Sequence, residues 1–222
     1  MSKPKAFSFS QLNNFETCPR KYYELSVAKN FKEVEGEAIL YGKRVHKAFE
    51  LLVSKGKPLP PEFSHMLPYV QKFVDFPGTK LVEQQLCITS DFKPTHWKDW
   101  DNGWCRAIID LALVGKNSAV LIDYKTGKMK DDGFVQLMLA AALFMIHHPE
   151  VENVDVGYLW TQEDGQITRD SYDRGDIAEL WNELLPRVDR FQRAFQQTDY
   201  PPRPSGLCRK WCIVETCVHH GQ

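Results

Sequence analysis

The sequence predicts an α/β fold in which a mixed central sheet of about five strands is flanked by helices. Two apolar segments, residues 107–114 and 120–125, are separated by turn-forming residues 115–118 and have the pattern of a β-hairpin. Two other segments, residues 37–55 and 176–195, carry apolar residues at helical spacing. Because strand-like and helical segments alternate along the chain, we expect helices to cover the sheet.

The first part of the chain is predicted to be helical. Ser8 or Ser10 is expected to cap the first helix, because a serine hydroxyl can accept a hydrogen bond from a free backbone N–H. The second helix is expected to end at Gly56, since glycine readily takes the left-handed conformation found at helix ends. A proline-rich connector, residues 57–61, then leads to a short helix near residues 62–75.

The later elements follow from short apolar runs that are bounded by Gly, Pro and Asp residues. In order, they are a strand at residues 80–89, a loop at 90–103, the hairpin, a helix at 131–148, strands at 154–161 and 166–172, and an extended segment at 200–204 after the last helix.

The hairpin carries three charged residues in an apolar setting. Asp123 and Lys125 share one face of their strand, since alternate strand residues point the same way. If the hairpin pairs symmetrically about Lys116 and Asn117, Asp110 lies opposite Asp123, with Cβ atoms roughly 5 Å apart. Two carboxylates at that distance repel each other by roughly 3 kcal/mol at an effective dielectric near 20.

The apolar neighbours of these acids add a desolvation cost to the repulsion. Ile108, Ala112 and Leu121 are expected to share the face of the two acids, and a solvated face would be more polar. A divalent cation held between the carboxylates would remove the conflict. The alternative is a solvated hairpin face that carries scattered charges.

The order of these residues resembles the PD-(D/E)xK nuclease superfamily, specifically its RecB-like and Cas4-like branch. The resemblance lies in Asp110 followed by Asp123-Tyr124-Lys125-Thr126-Gly127, with Gly42-Lys43-Arg44-Val45-His46 upstream and Gln136 downstream. It implies a restriction-endonuclease-like core in which acids on strands and the lysine form the active site.

The resemblance also implies roles for individual residues. The metal ligands would be His46, Asp110, Asp123 and the backbone carbonyl of Tyr124, with Glu83 as a further candidate, and the ions would be Mg²⁺ or Mn²⁺. The catalytic residues would be Asp110, Asp123, Lys125 and Gln136. Two structural alternatives stay open: His46 as a surface or packing residue, and Glu83 as a charged residue on a half-exposed strand.

One position departs from the pattern. The family often has Gln-x-x-x-Tyr in the helix after the second hairpin strand. In this chain the residue four positions after Gln136 is Ala140 and not a tyrosine.

Four cysteines resemble the Cas4 arrangement of one N-terminal and three C-terminal ligands to a [4Fe-4S] cluster. They are Cys18, Cys208, Cys212 and Cys217, spaced Cys-x3-Cys-x4-Cys at the C-terminal end where the relatives favour Cys-x2-Cys-x5-Cys. Zn²⁺ is the alternative, because it also takes thiolates and because His219 and His220 are close by.

A shared cluster would join residues 1–36 and 199–222 in a subdomain around a nuclease core at residues 37–198, all within a single nuclease domain, 1–222. The other cysteines, Cys87 and Cys105, lie in apolar strands and are expected to be buried thiols.

The overall charge does not indicate nucleic-acid binding, because the net charge is only −1. Cations are concentrated locally instead, and Lys43, Arg44 and Lys128 beside the expected metal site are the candidate DNA contacts. The longest apolar run, residues 137–146, is too short to span a bilayer, and the N-terminus lacks an apolar signal segment. We therefore expect no membrane contact and a location in the cytoplasm of a bacterium or a phage-infected host.

The resulting hypothesis is a DNA exonuclease that acts at DNA ends or in single strands, in replication, recombination or repair. The compact size suggests a phage gene, and a helicase or recombination protein is a candidate partner. Two alternatives stay open: a non-catalytic module that binds nucleic acid or a helicase, and an endonuclease on the same fold.

Overall fold

Six strands form one mixed sheet in the computed structural model, which describes residues 6–129 and 133–222. They are β1 (Thr79–Thr89), β2 (Pro94–Thr95), β3 (Gly103–Val114), β4 (Ser118–Lys125), β5 (Asn153–Trp160) and β6 (Gln166–Asp173). The strand order is β2-β1-β3-β4-β5-β6, and all neighbours are antiparallel except the parallel pair β4 and β5. The predicted mixed α/β sheet is confirmed. Its additional strand, β2, has only two residues, too few for a periodic pattern.

Helices occupy the remaining regular segments. They are α1 (Phe9–Thr17), α2 (Pro19–Tyr22), α3 (Glu37–Lys55), α4 (Leu67–Val74), α5 (Val135–His147), α6 (Asp176–Gln197) and α7 (Leu207–Lys210). A π-helical turn (Tyr23–Val27) follows α2, and a 3-10 helix (Pro61–Met66) precedes α4.

The described residues fall into two compact units. One consists of the residues up to Glu35 together with Glu183–Gln222, and the other is Gly36–Asn182. The sheet, α3, α4 and α5 belong to the second unit. The division between the units falls within α6, whereas the predicted nuclease core ends at residue 198, after this helix.

Two helix ends have the predicted local signals. The Ser8 hydroxyl accepts a hydrogen bond from the backbone N–H of Gln11 at 3.3 Å and caps α1. Helix α3 has the predicted bounds and ends at Gly56, whose φ is +63°. The predicted helix near residues 62–75 is a 3-10 segment that continues into α4. Helix α5 begins at Val135, and the predicted start at residue 131 lies outside the described residues.

The hairpin has the register expected from its symmetry. The pairs Leu111↔Ile122 and Val114↔Ala119 show that β3 and β4 are aligned about the turn between them, as predicted. The backbone N–H of Gly115 donates to the carbonyl of Ser118 at 2.9 Å and closes the turn. Strand β3 also begins four residues earlier than the predicted residue 107, because Gly103 to Arg106 continue the pairing with β1.

A hydrophobic core joins α3 and α4 to one face of the sheet. Phe49 of α3 is fully buried with Leu111, Ile122 and Leu159 of three neighbouring strands. Successive strand residues point to opposite faces, so Leu121 lies on the other face, where α5 packs. Burying a side chain such as Phe49 contributes about 1.5–3 kcal/mol. Helices therefore pack on both faces of the sheet.

The two cysteines outside the predicted cluster were expected to be buried thiols. Cys87 and Cys105 are fully buried, as predicted. In the part of the chain that the structure describes, no helix could cross a bilayer.

Candidate active site

The site forms where β3 and β4 separate. Their pairing ends at Leu111↔Ile122, and the next pair in the same register would be Asp110 with Asp123. In place of that pair, the backbone N–H of Tyr124 donates to Asp110 Oδ2 at 2.8 Å. The two carboxylate side chains are 12% and 16% exposed. The end of the hairpin therefore carries two nearly buried acids, as the register predicted.

Strand β1 adds a third acid through a local irregularity. Val82 pairs with Leu111 and Gln84 with Ile109, so Glu83 falls level with Asp110, yet its φ of +50° interrupts the regular strand. This left-handed conformation is costly for a residue with a side chain. Partial burial of its carboxyl group and, to a smaller extent, the negative charge of Asp110 raise the pKa of Glu83.

His46 of α3 completes a group of potential metal ligands. One ligand atom each from His46, Glu83 and Asp110 lie within 4.8 Å of one another. The imidazole Nε2 is 2.9 Å from the carbonyl oxygen of Tyr124, and Nδ1 is 3.3 Å from Asp110 Oδ1. Burial alone would lower the pKa of His46, but the hydrogen bond and charge of Asp110 outweigh it, so the pKa is raised.

Asp123 faces a different set of partners from those of Asp110. Its Oδ2 is 2.7 Å from Lys125 Nζ, and its Oδ1 accepts a hydrogen bond from the side-chain amide of Gln136 at 3.1 Å. Lys125 Nζ also donates to Gln136 Oε1 at 3.5 Å. Burial and the charge of Asp110 raise the pKa of Asp123 to about 6, although Lys125 opposes this shift. The structure thus places the predicted catalytic residues in two connected groups.

An open cavity of about 720 Å³ gives access to the ligand group. His46, Glu83, Asp110 and Lys43 line it, as does Gly42, one helical turn before His46. A Cβ at Gly42 would lie 2.9 Å from Thr126 Oγ1, so only glycine allows this close approach without a shift.

The other predicted DNA contacts lie outside the cavity lining. Arg44 forms ion pairs with Glu37 and Glu62, at 3.1 Å and 3.8 Å, so its charge is partly neutralised by its neighbours. Lys128 is exposed after the end of β4.

One predicted face differs in part from the structure. Ala112 and Leu121 are fully buried, but Ile108 is 48% exposed and lines the cavity. The expectation that Ile108 is buried was wrong, because the cavity opens over this end of β3. Sequence alternation predicts which way a side chain points, and it does not show where the covering layer ends.

The four cysteines of the predicted cluster line one small pocket in the first unit. Cys18, Cys208, Cys212 and Cys217 are unpaired thiols there, half-buried beside His219 and His220. Cys18 Sγ accepts hydrogen bonds from two backbone N–H groups, those of Lys21 at 3.5 Å and Arg203 at 3.4 Å. Cys208 Sγ accepts one from the backbone N–H of Ser205 at 3.4 Å. Such donors stabilise thiolates and tune clusters held by cysteine.

Comparison with known families gives the site its context. The sequence pattern of the PD-(D/E)XK nuclease superfamily matches residues 6–217. The chain belongs to this superfamily. Members use divalent metal ions and act on nucleic acids, and the ligand group of His46, Glu83 and Asp110 has donor chemistry suited to such an ion.

One solved structure has a fold similar to that of this chain. A protein from Eubacterium rectale, proposed by its name to be an exonuclease, is 13% identical to this chain, with a TM-score of 0.55. The similarity covers 93% of this chain and 87% of that one. A protein named SSO0001 is 17% identical over 99% of this chain and 89% of its own, but its TM-score of 0.44 is too low to decide the fold. No curated protein matches the chain.

Proposed function

We propose that the protein is a metal-dependent DNA exonuclease of the RecB-like and Cas4-like branch, acting at DNA ends or in single strands during replication, recombination or repair. The observation that carries the proposal is the meeting of His46, Glu83 and Asp110 beside the Asp123–Lys125 pair, at an open cavity. A lone acid pair could be a structural feature. The acids Asp110 and Asp123, next to two further potential metal ligands and a lysine, have the composition of a hydrolytic site.

The ligand chemistry supports Mg²⁺ or Mn²⁺. His46, Glu83 and Asp110 offer one imidazole and two carboxylates, a set that suits these ions better than soft metals. Asp123 and the carbonyl of Tyr124 lie next to this group and are proposed as further ligands. A bound cation lowers the pKa of a coordinated water and stabilises the charge that develops on a phosphate.

The remaining side chains would position the water and the phosphate. Lys125 Nζ is held by Asp123 and Gln136, so its positive charge is fixed beside Asp123 rather than free to rotate. A fixed cation can orient a water molecule or neutralise the attacked phosphate. Gln136 bonds both members of the pair and keeps them in place. Lys43, which lines the cavity, is proposed to contact the DNA backbone, as are Arg44 and Lys128 on neighbouring surfaces.

A DNA cleavage assay tests the activity. End-labelled linear single-stranded DNA and a closed circular single strand are incubated with the protein and Mn²⁺. We expect degradation of the linear strand alone, and loss of that activity in Lys125→Ala. Lys116→Ala, which removes a lysine from the exposed hairpin turn, is the matched control and should cleave like wild type.

The other outcomes separate the alternatives. Cleavage of the circle would show an endonuclease on the same fold. Full activity of Lys125→Ala would refute the assigned site. Binding of DNA without cleavage of either substrate would indicate the non-catalytic module.

We also propose that Cys18, Cys208, Cys212 and Cys217 hold a [4Fe-4S] cluster, with Zn²⁺ as the alternative. The shared pocket and the three backbone N–H donors to Cys18 and Cys208 support four thiolate ligands to one group. Anaerobically purified protein is expected to contain iron and acid-labile sulfide. Cys212→Ala should lose both, while Cys87→Ala, which removes a buried thiol outside the pocket, should keep them. Stoichiometric zinc without sulfide would refute the cluster.

A further inference from the structure

A tryptophan is presented to solvent on the loop between β2 and β3. Trp100 is 71% exposed, although an indole ring is among the most costly groups to leave in water. The guanidinium carbon of Arg106 lies 4.3 Å from the centroid of this ring, and 5.5 Å from that of Trp97. A cation so close to the centroid lies over one face of the ring. The exposed surface of Trp100 therefore includes its other face.

The position of Arg106 relates this ring to the active site. Arg106, Ile108 and Asp110 alternate along β3 and so share one face of the strand. The pairing of β3 with β1 is regular from Cys87↔Arg106 to Gln85↔Ile108, which keeps this alignment. Four strand residues span about 14 Å. Trp100 thus stands near one end of a strip of β3 whose other end is a candidate metal ligand.

The strip between the two ends is open to solvent. Ile108 is 48% exposed and lines the same cavity as Asp110 and Glu83. Its paired neighbour on β1, Gln85, is exposed as well. An extended chain could therefore run along this face from the metal-ligand group to Trp100.

The loop that carries Trp100 is held in place by its own hydrogen bonds. The carboxylate of Asp99 accepts bonds from the Thr95 hydroxyl at 2.7 Å and from the backbone N–H of Asn102 at 2.8 Å. These bonds lower the pKa of Asp99 to about 2. The guanidinium of Arg106 donates to the backbone carbonyl of Asp99 at 3.0 Å. The residue before Trp100 is thus fixed from three directions, and the ring is presented in a prearranged position.

We propose that Trp100 is a stacking platform for a base of the single-stranded substrate, placed along β3 from the reacting phosphate. This inference rests on the proposed function, because it takes the occupant of the strip to be the DNA strand whose phosphate reaches the metal-ligand group. An exposed aromatic ring beside an arginine is the combination that proteins use to bind single strands without reading their sequence. Arg106 fixes the ring from one face, and the base occupies the other.

Binding of oligonucleotides tests the proposal. Fluorescence anisotropy is measured in EDTA, so that no cleavage occurs, with a labelled 15-residue oligothymidylate and with an oligomer of equal length whose residues lack bases. Trp100→Ala is expected to weaken oligothymidylate binding about 5- to 150-fold, the range that loss of one stacked base gives. The oligomer without bases should bind both proteins equally, since it contacts them only through phosphates.

Two variants serve as controls. Trp100→Phe keeps an aromatic ring and should restore most of the binding. Trp211→Ala removes a tryptophan of similar exposure, 72%, from the other unit and should bind like wild type.

The outcomes distinguish this inference from the proposed function. Equal oligothymidylate binding by wild type and Trp100→Ala would overturn the stacking platform and leave the nuclease assignment intact. An equal loss of binding for both oligomers would also overturn it, because the ring would then act on the backbone or the fold. If wild-type protein neither binds nor cleaves single strands, the proposed function itself fails.

Discussion

Asp123 supports a quantitative prediction about stability in the absence of metal. Its side chain is only 16% exposed, and burial together with the negative charge of Asp110 raises its pKa from the ordinary 3.8 to about 6. The ionised carboxylate is therefore less favourable in the folded protein than in the unfolded chain. Asp123→Asn removes this titration and keeps the shape of the side chain.

The sign follows from proton binding. Between pH 3.8 and about 6 the folded protein keeps a proton on Asp123 that the unfolded chain releases, so the stability of wild type falls as the pH rises through this interval. One pKa unit corresponds to about 1.36 kcal/mol, which makes the full effect about 3 kcal/mol. Of this, about 2 kcal/mol falls between pH 4.5 and pH 8. Asp123→Asn should lack this loss and be the more stable protein at pH 8.

The assay is urea unfolding of EDTA-treated protein at pH 4.5 and pH 8, followed by circular dichroism. We expect the difference in unfolding free energy between Asp123→Asn and wild type to grow by about 2 kcal/mol over this range. Asp155→Asn, at an exposed position of β5, controls for the removal of one negative charge. Parallel pH profiles for wild type and Asp123→Asn would refute the reasoning, because they would mean that the site does not destabilise the ionised carboxylate.

Two glycines give further predictions. Gly165→Ala should lower the unfolding free energy by at least about 1–2 kcal/mol in urea titrations, because φ is +74° and a Cβ would lie 2.4 Å from Tyr69 Cγ. Gly206→Ala is the control, since a Cβ there would have nothing within 4 Å. Equal losses of unfolding free energy in the two variants would contradict this account. Gly42→Ala should reduce DNA cleavage about 10-fold or more without lowering the melting temperature, because the Cβ displaces Thr126 while alanine favours the helix. Adding Thr126→Ala should restore part of the cleavage rate, and no recovery would show that this contact is not responsible.

Local patterns in the sequence were sufficient for the elements that lie close together in the chain. The bounds of α3, its end at Gly56 and a serine cap of α1 at Ser8 or Ser10 follow from spacing and capping within each helix, and the structure selects Ser8 as the cap. The hairpin register follows from symmetry about a short turn, and the pairs from Leu111↔Ile122 to Val114↔Ala119 have the predicted alignment. These features depend on contacts between residues a few positions apart, which the periodicity of helix and strand encodes directly.

Local patterns could not show which residues far apart in the chain lie close together. The resemblance to a nuclease family identified candidates for such residues. Seventy-eight positions separate His46 from Tyr124, whose carbonyl its ring contacts. Nothing in the local sequence of α3 indicates that contact. The roles that the family implies for these residues, and for the four cysteines, remain predictions that the experiments above address.

Only the tertiary structure decided how the site is divided and what lies beside it. Glu83, which itself has the left-handed conformation within β1, lies beside His46 and Asp110, whereas Asp123 forms an ion pair with Lys125. The exposure of Ile108 and the contact of Trp100 with Arg106 likewise arise where the packed layers end. The sequence by itself determined the longer strands and helices and the residue types that they carry, because those depend on periodicity and composition. Which of the acids lie together, and which surface is open beside them, depend on contacts between segments far apart in the chain, and these are set by packing.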